Sequence, residues 1–225
     1  MKTIKSLLAA ASVAAAMSVA VGAHAATIAG LYNTGVDDSA VATVGNGADT
    51  HWTLNGGAAY TGGTNGSFPI GPWVSDSAVS RWLTPTANAA DSFDPGANGF
   101  YSYATSFVLT AAQAAGAAFT GQYAVDNTVT DVLLNGHSLA SGGGFSDWTS
   151  FAADASDFVA GVNTVEFVVE NYQQNGGNPS GLDVQFLSST VGEVPEPATW
   201  ALMMSGIGLM GMSLRRQPKV QTVKA

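Results

Sequence analysis

The chain has no cysteine in its 225 residues, which excludes disulfide frameworks, thiolate-bound zinc and thiol nucleophiles. Charge is also sparse: 10% of residues are charged, and 7 Lys or Arg stand against 16 Asp or Glu. Six of the basic residues sit at the ends, as Lys2 and Lys5 and as Arg215, Arg216, Lys219 and Lys224. Between them lies only Arg81, while all 16 carboxylates fall between Asp37 and Glu196, so a body freed of both ends carries about −15 when cleavage keeps Glu196. Phosphate recognition needs Lys and Arg, so nucleic acid and other polyanions are excluded as partners, and neutral glycans and divalent cations fit. Histidine is nearly missing: beyond the first 25 residues only His51 and His137 remain, too few for a three-histidine zinc cage. Neither H-E-x-x-H nor G-x-S-x-G occurs. Ser and Asp are common enough to draw a triad around either histidine, and paired carboxylates for glycoside hydrolysis are a property of the fold, but no residue is marked as a nucleophile. The sequence therefore reads as non-enzymatic.

What the chain does have is two apolar runs at its ends. Lys2 and Lys5 precede an apolar stretch, Leu7 to Val21, and then Ala23-His24-Ala25, an A-x-A cleavage pattern. Residues 1–25 read as a signal peptide cut by signal peptidase before Ala26. At the other end, Pro195-Glu196-Pro197 precedes an uncharged run from Ala198 to Leu214 and then Arg215-Arg216. A helix over these 17 residues would reach roughly 25 Å, just enough to span a bilayer core of about 30 Å. The arginines would hold its end in the cytoplasm and leave the preceding domain outside, with 217–225 as a cytoplasmic tail. Gly206-Ile207-Gly208-Leu209-Met210-Gly211 spells the dinucleotide fingerprint G-x-G-x-x-G but follows no strand.

The order Pro-Glu-Pro, short apolar segment, arginine pair over residues 194–216 resembles the PEP-CTERM sorting signal. The resemblance implies an exported precursor held in the inner membrane through 198–214 and processed by an exosortase, a membrane-embedded protease. It implies release or transfer to the cell surface or extracellular matrix, in the setting of exopolysaccharide and biofilm. Pro195, Glu196 and Pro197 would be the recognition residues, and Arg215 and Arg216 the stop.

The body, 26–193, is the size of one domain and reads as all-β. Alternation is clearest at Tyr101, Tyr103, Thr105, Phe107 and Leu109, and recurs at Val165, Phe167 and Val169 and at Leu182, Val184 and Phe186. Val132-Leu133-Leu134 runs into Asn135-Gly136, the residue pair of a two-residue hairpin. Shorter strands are expected over 28–32, 51–54, 80–83, 119–125 and 148–151, and a helical turn over 110–118 with a Thr cap. Nine or ten strands at this spacing point to a β-sandwich, a jelly roll.

Residues 80–187, through Phe100-Tyr101-Ser102-Tyr103, Ala124-Val125-Asp126-Asn127, Leu134-Asn135-Gly136 and Val165 to Asn171, look like a galactose-binding-like sandwich. That resemblance implies sugar or surface binding by loops at one end, often with a structural calcium. A glycan site needs a flat aromatic ring beside amides or carboxylates, and the candidates are Trp73, Trp148, Asn171, Tyr172, Gln173 and Gln174. The loop from Asn171 to Pro179, rich in Gly and Pro, is the favoured place. Asp91, Asp94 and Asn98 lie in one turn-rich loop and are the candidate Ca2+ ligands, although they match no EF-hand. The sequence thus predicts an exported module that binds neutral exopolysaccharide. Its rival is a structural or adhesive matrix protein with no discrete sugar site, bridged by divalent cations.

Overall fold

A computed structural model describes residues 26–61, 68–192 and 203–210. Ten strands form: β1 (Ala48–Leu54), β2 (Gly57–Thr61), β3 (Leu83–Thr84), β4 (Gly99–Leu109), β5 (Ala118–Asp126), β6 (Thr128–Leu134), β7 (His137–Gly142), β8 (Thr149–Ala153), β9 (Gly161–Asn171) and β10 (Gly181–Thr190). They join in the order β7-β6-β9-β4-β1-β2-β3-β10-β5-β8, and every pairing is antiparallel.

So long a sheet cannot stay flat, because each strand twists against the last and each has an apolar face to bury. Its two halves fold face to face as a sandwich. Phe167 of β9 meets Tyr123 of β5 at 5.4 Å and Phe151 of β8 at 5.3 Å between ring centroids, across the two layers. The alternating residues of β4, Tyr103, Thr105, Phe107 and Leu109, are buried as their spacing predicts, and Val165, Phe167 and Val169 are fully enclosed. Edge-to-face rings at these separations add to plain area burial.

Local signals hold where they are chemically explicit. Asn135 and Gly136 adopt φ 54° and 84°, the left-handed pair of a type I′ turn, and β6 reverses into β7. Thr110 caps a one-turn helix, α1 (Ala111–Ala114): its hydroxyl accepts the Gln113 amide, and the Gln113 side chain accepts the Thr110 amide.

Two expected strands change. Residues 28–32 do not form one, since Gly30 takes φ 83° and the segment instead meets β10 through side chains, Ile28 N–H to Ser189 and Phe186 N–H to Asn33. Residues 80–83 shrink to β3, because Asp76 draws Arg81 into an ion pair at 3.0 Å and accepts the Trp82 amide. β2 went unread, its Gly-Ala-Ala-Tyr-Thr sequence carrying almost no alternation.

The two outer faces differ. On β5 and β10 the outward residues Ala124, Asp126, Asp183 and Gln185 are buried, covered by residues 33–34 and 73–82. On β4 and β9 each outward residue, from Phe100 to Val108 and from Val162 to Glu170, is at least partly exposed.

The two ends of the body leave from one pole. Val191 N–H bonds the Ala26 carbonyl at 2.9 Å, and Gly192 N–H bonds the Gln113 carbonyl at 2.8 Å. A Cβ on Gly116 would lie 2.7 Å from the Gly192 Cα, so only glycine lets the outgoing chain pass α1 this closely. Of the expected membrane segment 198–214, only 203–210 is described, as helix. Among the described residues no helix is long and apolar enough to cross a membrane. The signal peptide with Ala23 and Ala25, and Pro195, Glu196, Pro197, Arg215 and Arg216, lie outside the described residues.

Candidate functional site

At the opposite pole, β9 ends, β10 begins, and the loops 85–98 and 172–180 meet. The hub is Asp94, held at φ 55°, a left-handed conformation that Asp tolerates. One of its carboxylate oxygens accepts the Tyr101 hydroxyl at 2.9 Å and the Asn171 amide at 2.8 Å. Gly99 packs beneath, where any Cβ would collide with that carboxylate. Burial and the adjacent Asp94 push the Tyr101 phenol well above its usual range, so it acts as a fixed hydrogen-bond donor.

Around the hub, amides tie the 172–180 loop down. Asn178 donates to the carbonyls of Phe93 and Tyr172 at 2.8 and 2.9 Å, and the Tyr172 amide donates to Asn127 at 2.6 Å. Asn98 accepts the Gln173 amide at 2.9 Å and donates to Glu170 at 2.7 Å. Gln174 is turned inward on its own loop, donating to the carbonyls of Gly176 and Gly177. Within this clamp the Tyr172 ring stands half-exposed, at 50%. Among the described residues no partner takes its hydroxyl. The result is a flat apolar surface on a preorganised loop, edged by amides and a carboxylate.

The structure sorts the other candidates. Trp73 is core: it packs on Trp82 at 4.2 Å and on Phe68 at 5.5 Å, and its indole bonds the Asp126 carboxylate. Trp148 leans half-buried on the same cluster. Asn171 is fully buried, and its amide N–H positions Asp94 while its carbonyl oxygen has no hydrogen-bond partner among the described residues. Gln173 is exposed beside Tyr172 as expected.

Asp91, Asp94 and Asn98 do not converge. Asp91 accepts from Thr86 and Asn88, each at 2.6 Å, whereas Asp94 and Asn98 accept the donors described above. Calcium requires six to eight oxygens turned toward one point, and among the described residues no group of three acidic or histidine side chains is so arranged.

Sequence reasoning missed Phe100 and Glu170. Phe100 is 60% exposed and opposes Glu170 across the β4–β9 ladder. The available signal was its parity: it falls on the face opposite Tyr101 and Tyr103, an aromatic among Ser102, Ala104 and Ser106.

His51 stacks on Tyr32 at 3.7 Å, its Nε2 lying 3.4 Å from Asp38 without hydrogen-bond geometry, and His137 is exposed on the β6–β7 hairpin. A depression of about 400 Å³ lies apart from Tyr172, lined by Asp37, Asp38, Asp49 and Thr61.

The fold and ends together define an exported all-β protein with a sorting segment directly after its packed body. The family comparison agrees: residues 193–217 match the PEP-CTERM protein-sorting motif, beginning one residue beyond Gly192. The chain carries this sorting signal, which marks an exported protein anchored transiently at the membrane and processed by an exosortase. No curated protein matches the chain.

Proposed function

We propose that the body is a non-enzymatic glycan-binding module, a jelly-roll sandwich of galactose-binding-like type that meets neutral exopolysaccharide at the cell surface or in the extracellular matrix. The observation that carries this reading is Tyr172, an open ring on a loop clamped by Asn127, Asn98 and Asn178. A sugar ring stacks its apolar C–H face on such an aromatic while amides and carboxylates take its hydroxyls. Preorganisation lowers the ordering cost of binding.

The two poles support the same reading. β10 spans ten residues from the Tyr172 loop to the outgoing chain, roughly 30 Å at about 3.3 Å per residue. A precursor anchored through its C-terminal segment would present Tyr172 away from the membrane.

The test is affinity electrophoresis of the purified chain through gels carrying neutral or acidic polysaccharides, with calcium and with chelator. Retardation by a neutral polymer, unchanged by chelator, is the expected result. Unchanged mobility in every gel, with calcium-dependent self-association, would refute the reading in favour of a structural matrix protein bridged by cations.

A further inference from the structure

We propose that Phe100 and Tyr172 together form a two-ring platform for the interior of a linear neutral polysaccharide chain, with Glu170, Asn98 and Gln173 bonding its hydroxyls. This rests on the glycan-binding reading and names its ligand class.

The register places the rings. Phe100 opposes Glu170 in the β4–β9 ladder, and Tyr172 follows Glu170 by two residues, one beyond the ladder's last pair, Gly99 with Asn171, so the line of β9 carried one residue further sets it diagonal to Phe100. Diagonal positions are about 7–8 Å apart between backbones, within reach of aromatic side chains. Phe100 and Glu170 lie on the outward face, since Val169 and Asn171 on either side of Glu170 are fully buried, and Tyr172 stands exposed one residue beyond the strand. At 60% and 50% exposure the rings are open, and no ring contact joins them to each other or to another aromatic among the described residues. Glu170 lies between them, steered by the Asn98 amide at 2.7 Å on one oxygen, and its other oxygen has no partner among the described residues. Gln173 donates to the Pro95 carbonyl, leaving its own carbonyl oxygen facing solvent.

Three properties select the occupant. The body's charge of about −15, with Arg81 as its one cation, repels acidic polymers and anionic lipid. Two separate rings on an open sheet end match successive pyranose faces better than one closed sugar. The depressions lined by residues 27–61 and 186–189 do not include Phe100 or Tyr172, whose rings stand 60% and 50% exposed. A chain lying side-on is the ligand this geometry takes.

The test uses the full chain in detergent micelles, run through gels carrying hydroxyethyl cellulose, galactomannan, xylan or dextran, alongside Phe100→Ala, Tyr172→Ala and Gln174→Ala. Near-ultraviolet circular dichroism and the unfolding midpoint confirm that each variant is folded. One polymer should retard the wild type, each aromatic variant should lose about tenfold in affinity, and Gln174→Ala should change little. Hexasaccharides of that polymer should compete, and its mono- and disaccharides should not. If the wild type is retarded but folded Phe100→Ala binds equally, the platform is overturned and the glycan reading stands. Competition by monosaccharide alone would overturn the side-on chain. If no polymer retards the wild type, both fail, and self-association abolished by Phe100→Ala would instead assign the rings to a second copy of this chain.

Discussion

Replacing Asp183 with Asn should make this protein more stable above neutral pH and remove most of its pH dependence between pH 4 and 8. Asp183 is on the covered face of β10 with no exposed surface. The Thr34 hydroxyl donates to one of its oxygens at 3.1 Å, while the other is buried without a hydrogen bond. Burial pushes its pKa up to about 7, outweighing the lowering by Ser80 and Thr34, and the Asp76 charge adds to the rise. Asp76 is itself paired with Arg81 at 3.0 Å, which limits that contribution.

The sign follows from proton binding. A carboxyl raised in the folded state binds its proton more tightly there than in the unfolded chain. Its stabilisation is therefore full below about pH 4, the unfolded value, and is lost as pH rises through about 7. A shift of about three units corresponds to roughly 4 kcal/mol, an upper figure. Asp126, pushed up to about 6 mainly by burial, works in the same direction. Asn keeps an acceptor for Thr34 and never ionises. At pH 8 the variant should melt about 10 °C above wild type, and at pH 4 within a few degrees of it, read by thermal denaturation across pH. A wild-type midpoint that is flat or rising from pH 4 to 7, or a variant less stable at pH 8, would refute the reasoning.

Other substitutions report on the supports of the two poles. Gly99→Ala drives a methyl into the Asp94 carboxylate and should cost about 1–3 kcal/mol in chemical denaturation, with Tyr172 fluorescence or its ring resonances shifting as the hub moves. Phe167→Ala empties the meeting point of both layers and should cost about 3–5 kcal/mol, measured by urea unfolding. Asn163, fully buried, bonds Val159, Gly161 and Asn135, and its replacement by Ala should cost about 2–3 kcal/mol and raise hydrogen exchange at the Asn135-Gly136 turn.

The inward faces of β4 and β9 were legible because apolar alternation is set by neighbours two residues apart, and the Asn135-Gly136 turn because only certain residues accept its φ angles. The Tyr172 loop was legible for a similar local reason, its Gly and Pro content. What escaped reading depends on contacts distant in sequence. Asp183 and Gln185 look like a solvent face until Thr34 and Ser80 arrive to cover them, 149 and 105 residues away. Trp73 reads as a free aromatic on a loop, but Trp82 and Asp126 claim it. Asn171 resembles a ligand group because its partner Asp94 lies 77 residues earlier. Phe100 is the converse: its exposure was encoded in the β4 alternation itself.

The sorting segment over residues 193–217 follows the packed body and is processed by an exosortase. The direct measurement is the intact mass of the protein recovered from an exosortase-bearing host, beside Glu196→Ala. The account predicts a wild-type chain beginning at Ala26 and ending close to Pro195-Glu196-Pro197, with the variant left uncut in the membrane fraction. A wild-type product that still carries 217–225, or a variant cut as efficiently as wild type, would contradict it.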